Sequence, residues 1–343
     1  MKLIYALSLS LLLLTSPVQA AEDYELKVGG TIKAYAGRYD SGIEGEKAYL
    51  VSPTEVNLQV TATRGPIEAF FELEQRQQVD KTVTKRSLRY NQETWQLIVG
   101  TVAPIESLGY TYAGGTKTSS LTPYGFYTGY IVWAEWDGIG FRYRPSKALN
   151  LGISLYSADI LNSETSAAGY PTKRAGYSNM FSGRGNLTFL EYRFSMLSST
   201  TDDHQGGDTL SHSGNYLGLK KRLGGFTAIL DLTQKKIQSN LDTAGEAVSE
   251  YNKVTNEAAV QGGYRLSNGD DLALTLALVE KEHQLEIASS EQDNYVNLVY
   301  NYNLVKDAVI QFAYGRQSKT QGDVPLGIEH KRSFLGLGIY SKF

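Results

Sequence analysis

The stretch that decides the fold is Glu329 to Phe343, which reads EHKRSFLGLGIYSKF. In a β-strand, successive side chains point to opposite faces. One face of this stretch is therefore mostly apolar and the other is mixed and small: Ser333, Leu335, Leu337, Ile339, Ser341 and Phe343 against Phe334, Gly336, Gly338, Tyr340 and Lys342. With no turn after Phe343, such a strand needs a partner that has already formed. In a closed barrel that partner is the first strand.

The same alternation recurs along the rest of the chain and predicts sixteen strands. They lie near residues 24–36, 55–62, 67–76, 85–90, 95–99, 139–144, 149–155, 175–181, 190–196, 217–219, 226–232, 260–266, 272–278, 296–302, 308–314 and 333–343. The faces opposite the apolar ones carry Glu, Lys, Arg and Gln on strand after strand. A soluble β-sandwich or lipocalin-like barrel would need its apolar faces to fill one interior. The pattern favours an all-β transmembrane antiparallel barrel, apolar outside and wide enough for a water channel.

The first twenty residues have the organisation of a secretory signal. Met1 and Lys2 precede an apolar run from Leu3 to Leu14, and the small-residue end Val18-Gln19-Ala20 follows. An anchor helix would need about 20 apolar residues. We therefore predict a signal peptide over 1–20 and a mature barrel domain over 21–343.

Composition excludes several classes of function. The chain has no cysteine, which rules out disulfide scaffolds and cysteine-based metal or nucleophile chemistry. The formal net charge is −3, and loss of Lys2 with the leader leaves −4, too balanced for a nucleic-acid partner. The counts of 24 Tyr and 34 Gly against 8 Pro suit strands, tight turns and membrane interfaces. No cofactor is predicted.

The segment from Ala103 to Glu135 interrupts the alternation. It contains two prolines and five glycines and is interpreted as one long loop: Pro104, Gly109, Gly114, Gly115, Pro123, Gly125 and Gly129. Elsewhere short turns alternate with longer loops. This is typical of a barrel whose turns lie on one side of a membrane and whose loops lie on the other.

In the order of its parts the chain resembles the general porins of Gram-negative outer membranes. The resemblance implies a sixteen-stranded homotrimer in outer-membrane lipid, inserted by the barrel-assembly machinery, which passes small hydrophilic solutes and ions by passive diffusion. It implies no enzymatic activity. It also implies that 103–135, the third external loop, folds into the lumen and narrows the pore.

The same resemblance assigns the site residues. The loop would contribute Glu106 and Tyr124 to the constriction, facing basic groups on the barrel wall. Those groups would be Lys33, Arg89 and Arg142, with Arg76 and Arg144 as further members. Phe343 would be part of the assembly signal.

Two residues and one loop depart from the pattern of that family. Tyr124 stands where relatives often have an acid, and Ser341 stands where an aromatic residue is favoured. The second external loop, 79–84, is very short, whereas trimeric relatives use a longer one as a latch on the neighbouring subunit.

Other functions stay open from the residues alone. The loop tyrosines could bind sugars by stacking, which would make an oligosaccharide-preferring porin. A barrel enzyme would need a His beside a Ser or carboxylate, and His204 and His212 lie in one predicted loop with Asp202, Asp203 and Asp208. The loops could also serve as an adhesin. The net charge of −4 predicts mild cation selectivity.

Overall fold

The computed structural model of the chain describes residues 24–42, 46–51, 54–76, 81–102, 136–146, 148–157, 175–202, 209–243, 246–284, 289–305, 307–321 and 330–343. These residues form seventeen strands: β1 Tyr24–Asp40, β2 Tyr49–Val51, β3 Thr54–Arg64, β4 Ile67–Arg76, β5 Lys81–Asn91, β6 Trp95–Val102, β7 Trp136–Ser146, β8 Leu149–Ser157, β9 Ala175–Leu187, β10 Leu190–Asp202, β11 Thr209–Leu223, β12 Phe226–Thr243, β13 Glu246–Arg265, β14 Asp271–Gln284, β15 Ser289–Val305, β16 Ala308–Gln321 and β17 His330–Lys342. The described part of the chain has no helix long and apolar enough to cross a membrane.

Sixteen of the strands close into one antiparallel barrel. From β3 onward each strand pairs with the next, and β17 pairs with both β16 and β1. The short β2 lies outside this ring and pairs with β1 over Gly37 to Tyr39. The predicted fold and strand number are confirmed, and β2 is an addition that three residues of sequence could not indicate.

The last strand closes the ring in the predicted way. Its register on β1 runs from Thr31 opposite Lys342 to Asp40 opposite Ser333. Beyond the strand, Phe343 exchanges two backbone hydrogen bonds with Gly30, of 3.0 and 3.1 Å. These bonds satisfy the backbone groups of the strand end, which an open edge would leave unpaired.

Glycine is required where Phe334 lies against the closing strands. The Phe334 ring covers Gly336 on its own strand and Gly37 on β1, where an added Cβ would come within 2.3 and 2.4 Å of ring atoms. Phe334 is 2 % exposed and packs with Tyr39 and Tyr295. The small residues on this face of β17 therefore make room for one large ring.

The two faces of the barrel wall differ as the alternation predicts. Large apolar side chains are exposed on the outer surface of nearly every strand, among them Val28, Val56, Leu88, Ile153, Leu274, Leu298 and Leu337. Buried polar side chains occupy alternate positions on the inward face, among them Asn57, Glu72, Ser182, Asp231, Gln261, Asn301 and Gln311. The outer surface is therefore apolar and the lumen is polar.

Aromatic rings collect on the outer surface beside the short turns. Trp95 packs between Tyr90 and Phe141, with ring centroids 5.5 and 6.1 Å apart, and Tyr300 lies 6.1 Å from Phe312. These positions are where tyrosine and tryptophan mark the edge of a bilayer in outer-membrane barrels.

At the end away from these turns the strands run further than predicted. The strand predicted near 260–266 is β13, Glu246–Arg265, and the one near 217–219 is β11, Thr209–Leu223. The extensions are rich in polar residues and show no sustained apolar alternation, so the period of two could not mark them. As a result, His212 lies in β11 opposite Ser199 rather than in a loop, and Asp202 belongs to β10.

The second external connection is shorter than predicted and covers 77–80, because β5 begins at Lys81. The predicted signal peptide and the third loop, 103–135, lie outside the described residues.

Candidate functional site: the inner wall of the barrel

The inward faces of the strands form three regions, two in which opposite charges are paired and one that is mostly basic. Each is named by its strands: the β3–β5 wall, the β12–β16 wall and the β7–β11 wall. The alternation that sends apolar groups outward brings the charged side chains of these strands to the lumen.

On the β3–β5 wall, acidic and basic side chains are paired. Arg89 contacts Glu68 at 2.7 Å, and Lys85 contacts Glu72 at 2.8 Å. Gln59 donates a further hydrogen bond to Glu72, at 2.8 Å, and the Arg89 guanidinium lies 4.6 Å from the ring centroid of Phe70. Four charges therefore neutralise one another within this wall.

The β12–β16 wall is paired in the same manner. Lys281 contacts Asp293 at 2.7 Å, and Lys319 contacts Glu291 at 2.9 Å. Asp293 also accepts a hydrogen bond of 3.1 Å from Gln317. Nearby, buried Asp231 accepts hydrogen bonds from the Tyr216 hydroxyl, at 2.7 Å, and from Gln261, at 3.0 Å.

The β7–β11 wall is mostly basic. Its inward positions carry Arg142, Arg144, Arg184, Arg193, Lys220 and Arg222. Glu191 is the one acidic residue that the structure describes at an inward position of these strands. It lies 3.8 Å from Lys220 and 3.7 Å from Arg222, beyond hydrogen-bonding distance. Arg184 and Arg193 stand directly opposite each other across the β9–β10 pair.

An apolar patch interrupts the polar lumen on the same half of the barrel. It consists of five buried side chains from β6, β9, β10 and β11: Ile98, Val102, Met180, Leu197 and Tyr216. Gly140 on β7 leaves the space that Val102 occupies, because a Cβ there would come within 2.5 Å of the valine. Ile98, Val102 and Met180 are at most 2 % exposed, although they face a wide lumen.

Of the residues predicted for the constriction, the structure brings some together and separates others. Arg89 and Arg142 line one cavity of about 130 Å³ with Lys85 and Glu72. Lys33 lies elsewhere, on β1 between Glu55 and Tyr340 in register. Arg76 ends β4, and its side chain lies outside the described part. Glu106 and Tyr124, with the other loop tyrosines, also lie outside it.

The structure adds two features of the wall that the sequence did not indicate. Arg89 contacts Glu68, and Lys85 contacts Glu72, on the same wall. Of the β7–β11 wall, only Arg142 and Arg144 had been assigned. Of the other four, only Arg193 falls within a predicted strand; Arg184, Lys220 and Arg222 lie beyond the predicted strands 175–181 and 217–219 and are placed on inward faces by the structure.

The described residues contain no candidate metal site. In those ranges no group of three His, Asp or Glu side chains could hold a metal ion. His204, Asp203 and Asp208 lie outside them.

Comparison with solved structures agrees with this architecture. No protein-family model matches the chain, and no curated protein is similar to it in sequence. The chain superposes on an anion-selective porin from Comamonas acidovorans with a TM-score of 0.64 at 13 % identity, covering 94 % of this chain and 100 % of that one. This barrel has the porin fold.

Two further structures share the porin fold. The outer-membrane channel DcaP of Acinetobacter baumannii gives a TM-score of 0.63 at 14 % identity, with 95 % and 99 % coverage. OmpT of Vibrio cholerae, in a trimer form, gives 0.59 at 10 % identity, with 94 % and 100 % coverage. At such low identity the likeness concerns the fold, and function must be argued from the wall itself.

Proposed function

We propose that this chain is an outer-membrane porin that lets small hydrophilic solutes and ions diffuse passively through a water-filled channel. The observation that carries the proposal is the closed ring of sixteen strands, apolar outside and charged inside. A barrel of this size is too wide to be filled by its own side chains. The aromatic belt beside the turns supports a place in a bilayer. Catalysis has no part in the proposal.

Planar-bilayer recording of the purified, refolded protein tests the channel. We expect stepwise current increases as single barrels insert, with a conductance that scales with the bulk salt. Protein that inserts, as judged by protease protection in vesicles, and yet carries no current would contradict the proposal.

The proposal includes assembly as a homotrimer. The support is the OmpT structure from Vibrio cholerae, which is described as a trimer form. The very short connection at 77–80 argues for a trimer without the second-loop latch. Closure of the current in three equal steps at high voltage would be the expected sign, and closure in one step would indicate independent monomers.

We further propose that 103–135 forms the constriction, as the resemblance implied. The buried apolar patch of Ile98, Val102, Met180, Leu197 and Tyr216 supports this, because such a surface on a lumen wall is costly unless it is covered. Replacing 106–132 by a short Gly-Ser linker should raise single-channel conductance. The same replacement within 160–172 serves as the control. Equal conductance in the two variants would contradict the assignment.

A further inference from the structure

Arg86 is a charged residue at the centre of a membrane-spanning strand, and it points away from the lumen. Its neighbours Lys85 and Ser87 face inward, whereas Leu88 is outward and exposed like Arg86. Arg86 is five residues from each end of β5. At about 3.3 Å per residue along a strand tilted by about 40°, five residues rise by about 13 Å, half of an apolar band about 25 Å tall. Arg86 therefore lies near the middle of that band.

Among the residues that the structure describes, Arg86 is the one charged residue that faces outward at this depth. On each of the other fifteen strands of the ring, the outward residue four or five positions from the turn-side end is apolar, aromatic or glycine. Examples are Val60, Phe71, Val99, Leu230 and Leu276. An arginine that faces lipid at the bilayer midplane is costly, because acyl chains neither solvate its charge nor pair with it. The position therefore calls for a partner other than acyl chains.

The backbone of Arg86 is held in place, but its charged end is not. Its N–H donates a hydrogen bond of 3.0 Å to the Thr101 hydroxyl, which donates one of 2.9 Å to Asp137. Gly100 has a φ of +106°, and an added Cβ there would lie 2.4 Å from the Arg86 carbonyl oxygen. The guanidinium is exposed and has no hydrogen-bond or ion-pair partner in the described part of the chain. It is therefore left to an external group.

We call Arg86, Thr101 and Asp137 the β5–β7 outer patch. These three polar residues lie side by side on three neighbouring strands, on an outer surface that is otherwise apolar, with Phe71 and Leu88 exposed around them. Lipid phosphates lie at the two edges of the apolar band, whereas its middle contains acyl chains that offer no acceptor. A group that pairs with Arg86 at this depth must therefore come from protein.

A second copy of this chain has suitable groups at the right level. Rotation about an axis perpendicular to the membrane keeps every residue at its depth, so it can bring copies of the patch together. The patch contains both a cation, Arg86, and acceptor oxygens, those of Thr101 and Asp137. The arginine of one copy can then bind the oxygens of the next, in a water-poor contact where charge-assisted hydrogen bonds are strong.

We propose that the β5–β7 outer patch is a contact surface between copies of this chain, in which Arg86 of one copy binds acceptor oxygens of its neighbour. The inference rests on the proposed homotrimer and locates its contact on the barrel wall. A polar contact inside the membrane would supply attachment that the connection 77–80 is too short to give.

The first test measures subunit association in detergent by analytical ultracentrifugation over a dilution series. Arg86→Leu removes the charge and suits the apolar outer surface, so we expect a folded barrel that still conducts. Its association should be at least about tenfold weaker than that of the parent, because the neighbour's acceptors lose their charged donor. Association equal to that of the parent would overturn the proposal.

Lys236→Leu is the matched control. Lys236 occupies an outward position on β12, seven strands from β5 in the ring of sixteen, and its replacement makes the same change in net charge. We expect unchanged association. A loss as large as that of Arg86→Leu would show that the effect does not come from the patch, and would overturn the assignment.

The second test asks whether lipid reaches the patch in the parent sequence background. The chain has no cysteine, so a single fluorophore can be attached at Leu88→Cys beside the patch or at Leu230→Cys on the far side. In vesicles of brominated phosphatidylcholine, we expect strong quenching at 230 and loss of most of that quenching at 88 in the oligomeric fraction. Equal quenching at the two positions would mean that Arg86 meets lipid, and would overturn the proposal.

The outcomes separate this inference from the porin function. A parent protein that conducts but is monomeric in detergent and in vesicles would overturn the contact surface and leave the channel intact. Absence of channels would contradict the porin function itself. If Arg86→Leu does not fold, the quenching at 88, measured with Arg86 in place, still decides the question.

Discussion

Asp270 is the residue that ties the turn after β13 to the neighbouring hairpin. Its carboxylate accepts hydrogen bonds from the Tyr300 hydroxyl at 2.6 Å, the Asn268 amide at 2.7 Å and the backbone N–H of Asn303 at 2.9 Å. The bond from Tyr300, followed by that from Asn303, lowers the pKa of Asp270 below its usual value. One turn carboxylate therefore joins β13, β14 and β15.

This geometry predicts a pH-dependent contribution to stability. A carboxyl group whose folded pKa is lowered stabilises the fold above its unfolded pKa of about 4, and the contribution disappears as pH falls through the folded value. Asp270→Asn should therefore lower the urea midpoint of unfolding at pH 7, and the difference from the parent should shrink as pH falls below about 4. Tryptophan fluorescence in a urea series at several pH values measures this.

Asp307, an exposed aspartate in another turn, supplies the control. Asp307→Asn should leave the midpoint nearly unchanged at both ends of the pH range. A deficit in Asp270→Asn that is the same at pH 3 and pH 7 would contradict the assigned role of the charge.

At the scale of the element, β17 decides whether the barrel closes. The backbone of Phe343 is bonded to Gly30 in both directions, and an added Cβ on Gly30 would lie 2.7 Å from the Phe343 ring. The ring itself is 60 % exposed on the outer surface. The backbone thus makes the closure, and the side chain adds one contact on the lipid-facing side. The assembly signal predicted at Phe343 stays a prediction, and it can be separated from this structural role.

Phe343→Ala should have a small effect on the refolded protein and a large effect in cells. Because both backbone bonds to Gly30 remain, we expect a loss of about 1 kcal/mol of folding stability in vitro, from the lost ring contact. If the ring is read during assembly, the amount of folded protein in the outer membrane should fall far more than that loss explains. Urea titration and quantitative membrane fractionation measure the two effects.

Phe312→Ala is the matched control, since Phe312 is also an outward-facing phenylalanine, 50 % exposed on β16. We expect a comparable stability loss and near-normal yield in cells. Equal yields for the two variants would contradict a role of the Phe343 ring in the assembly signal. The ring would then contribute only its contact with Gly30.

At the scale of the whole molecule, the distinguishing property is a single-layered β-sheet wall. Its inner face lines a water-filled lumen, and its outer face is suited to lipid. Because the chain contains no cysteine, single cysteines report on each face without background. Thr275→Cys on the inward face of β14 should react readily with a water-soluble, membrane-impermeant maleimide in vesicles. Leu274→Cys and Leu276→Cys, on the outward face, should react far more slowly, because lipid covers them.

The same assay tests the architecture strand by strand. Alternating reactivity along β14 and β15 is the expected result. Uniform reactivity on both faces would indicate a water-soluble barrel, and protection of both faces would indicate a lumen closed to water.

The sequence by itself determined the class of this protein, because its signal is local and periodic. Alternation with a period of two indicated the sixteen strands, the apolar and polar face of each, and the closing role of the segment that ends at Phe343. The alternation could not indicate the strand extensions, which are rich in polar residues and lack a sustained period of two, or the three residues of β2.

Only the tertiary structure decided which inward side chains meet, because that depends on register and ring closure. Lys85 and Glu72 are paired across β4 and β5, so their opposite charges neutralise each other on that wall. Arg184 stands opposite Arg193 because the β9–β10 hairpin aligns them. Phe334 on β17 covers Gly37 on β1, although the two residues lie near opposite ends of the sequence, because the barrel closes between these strands. Single-strand patterns carry no information on such pairings, and these pairings set the field inside the pore.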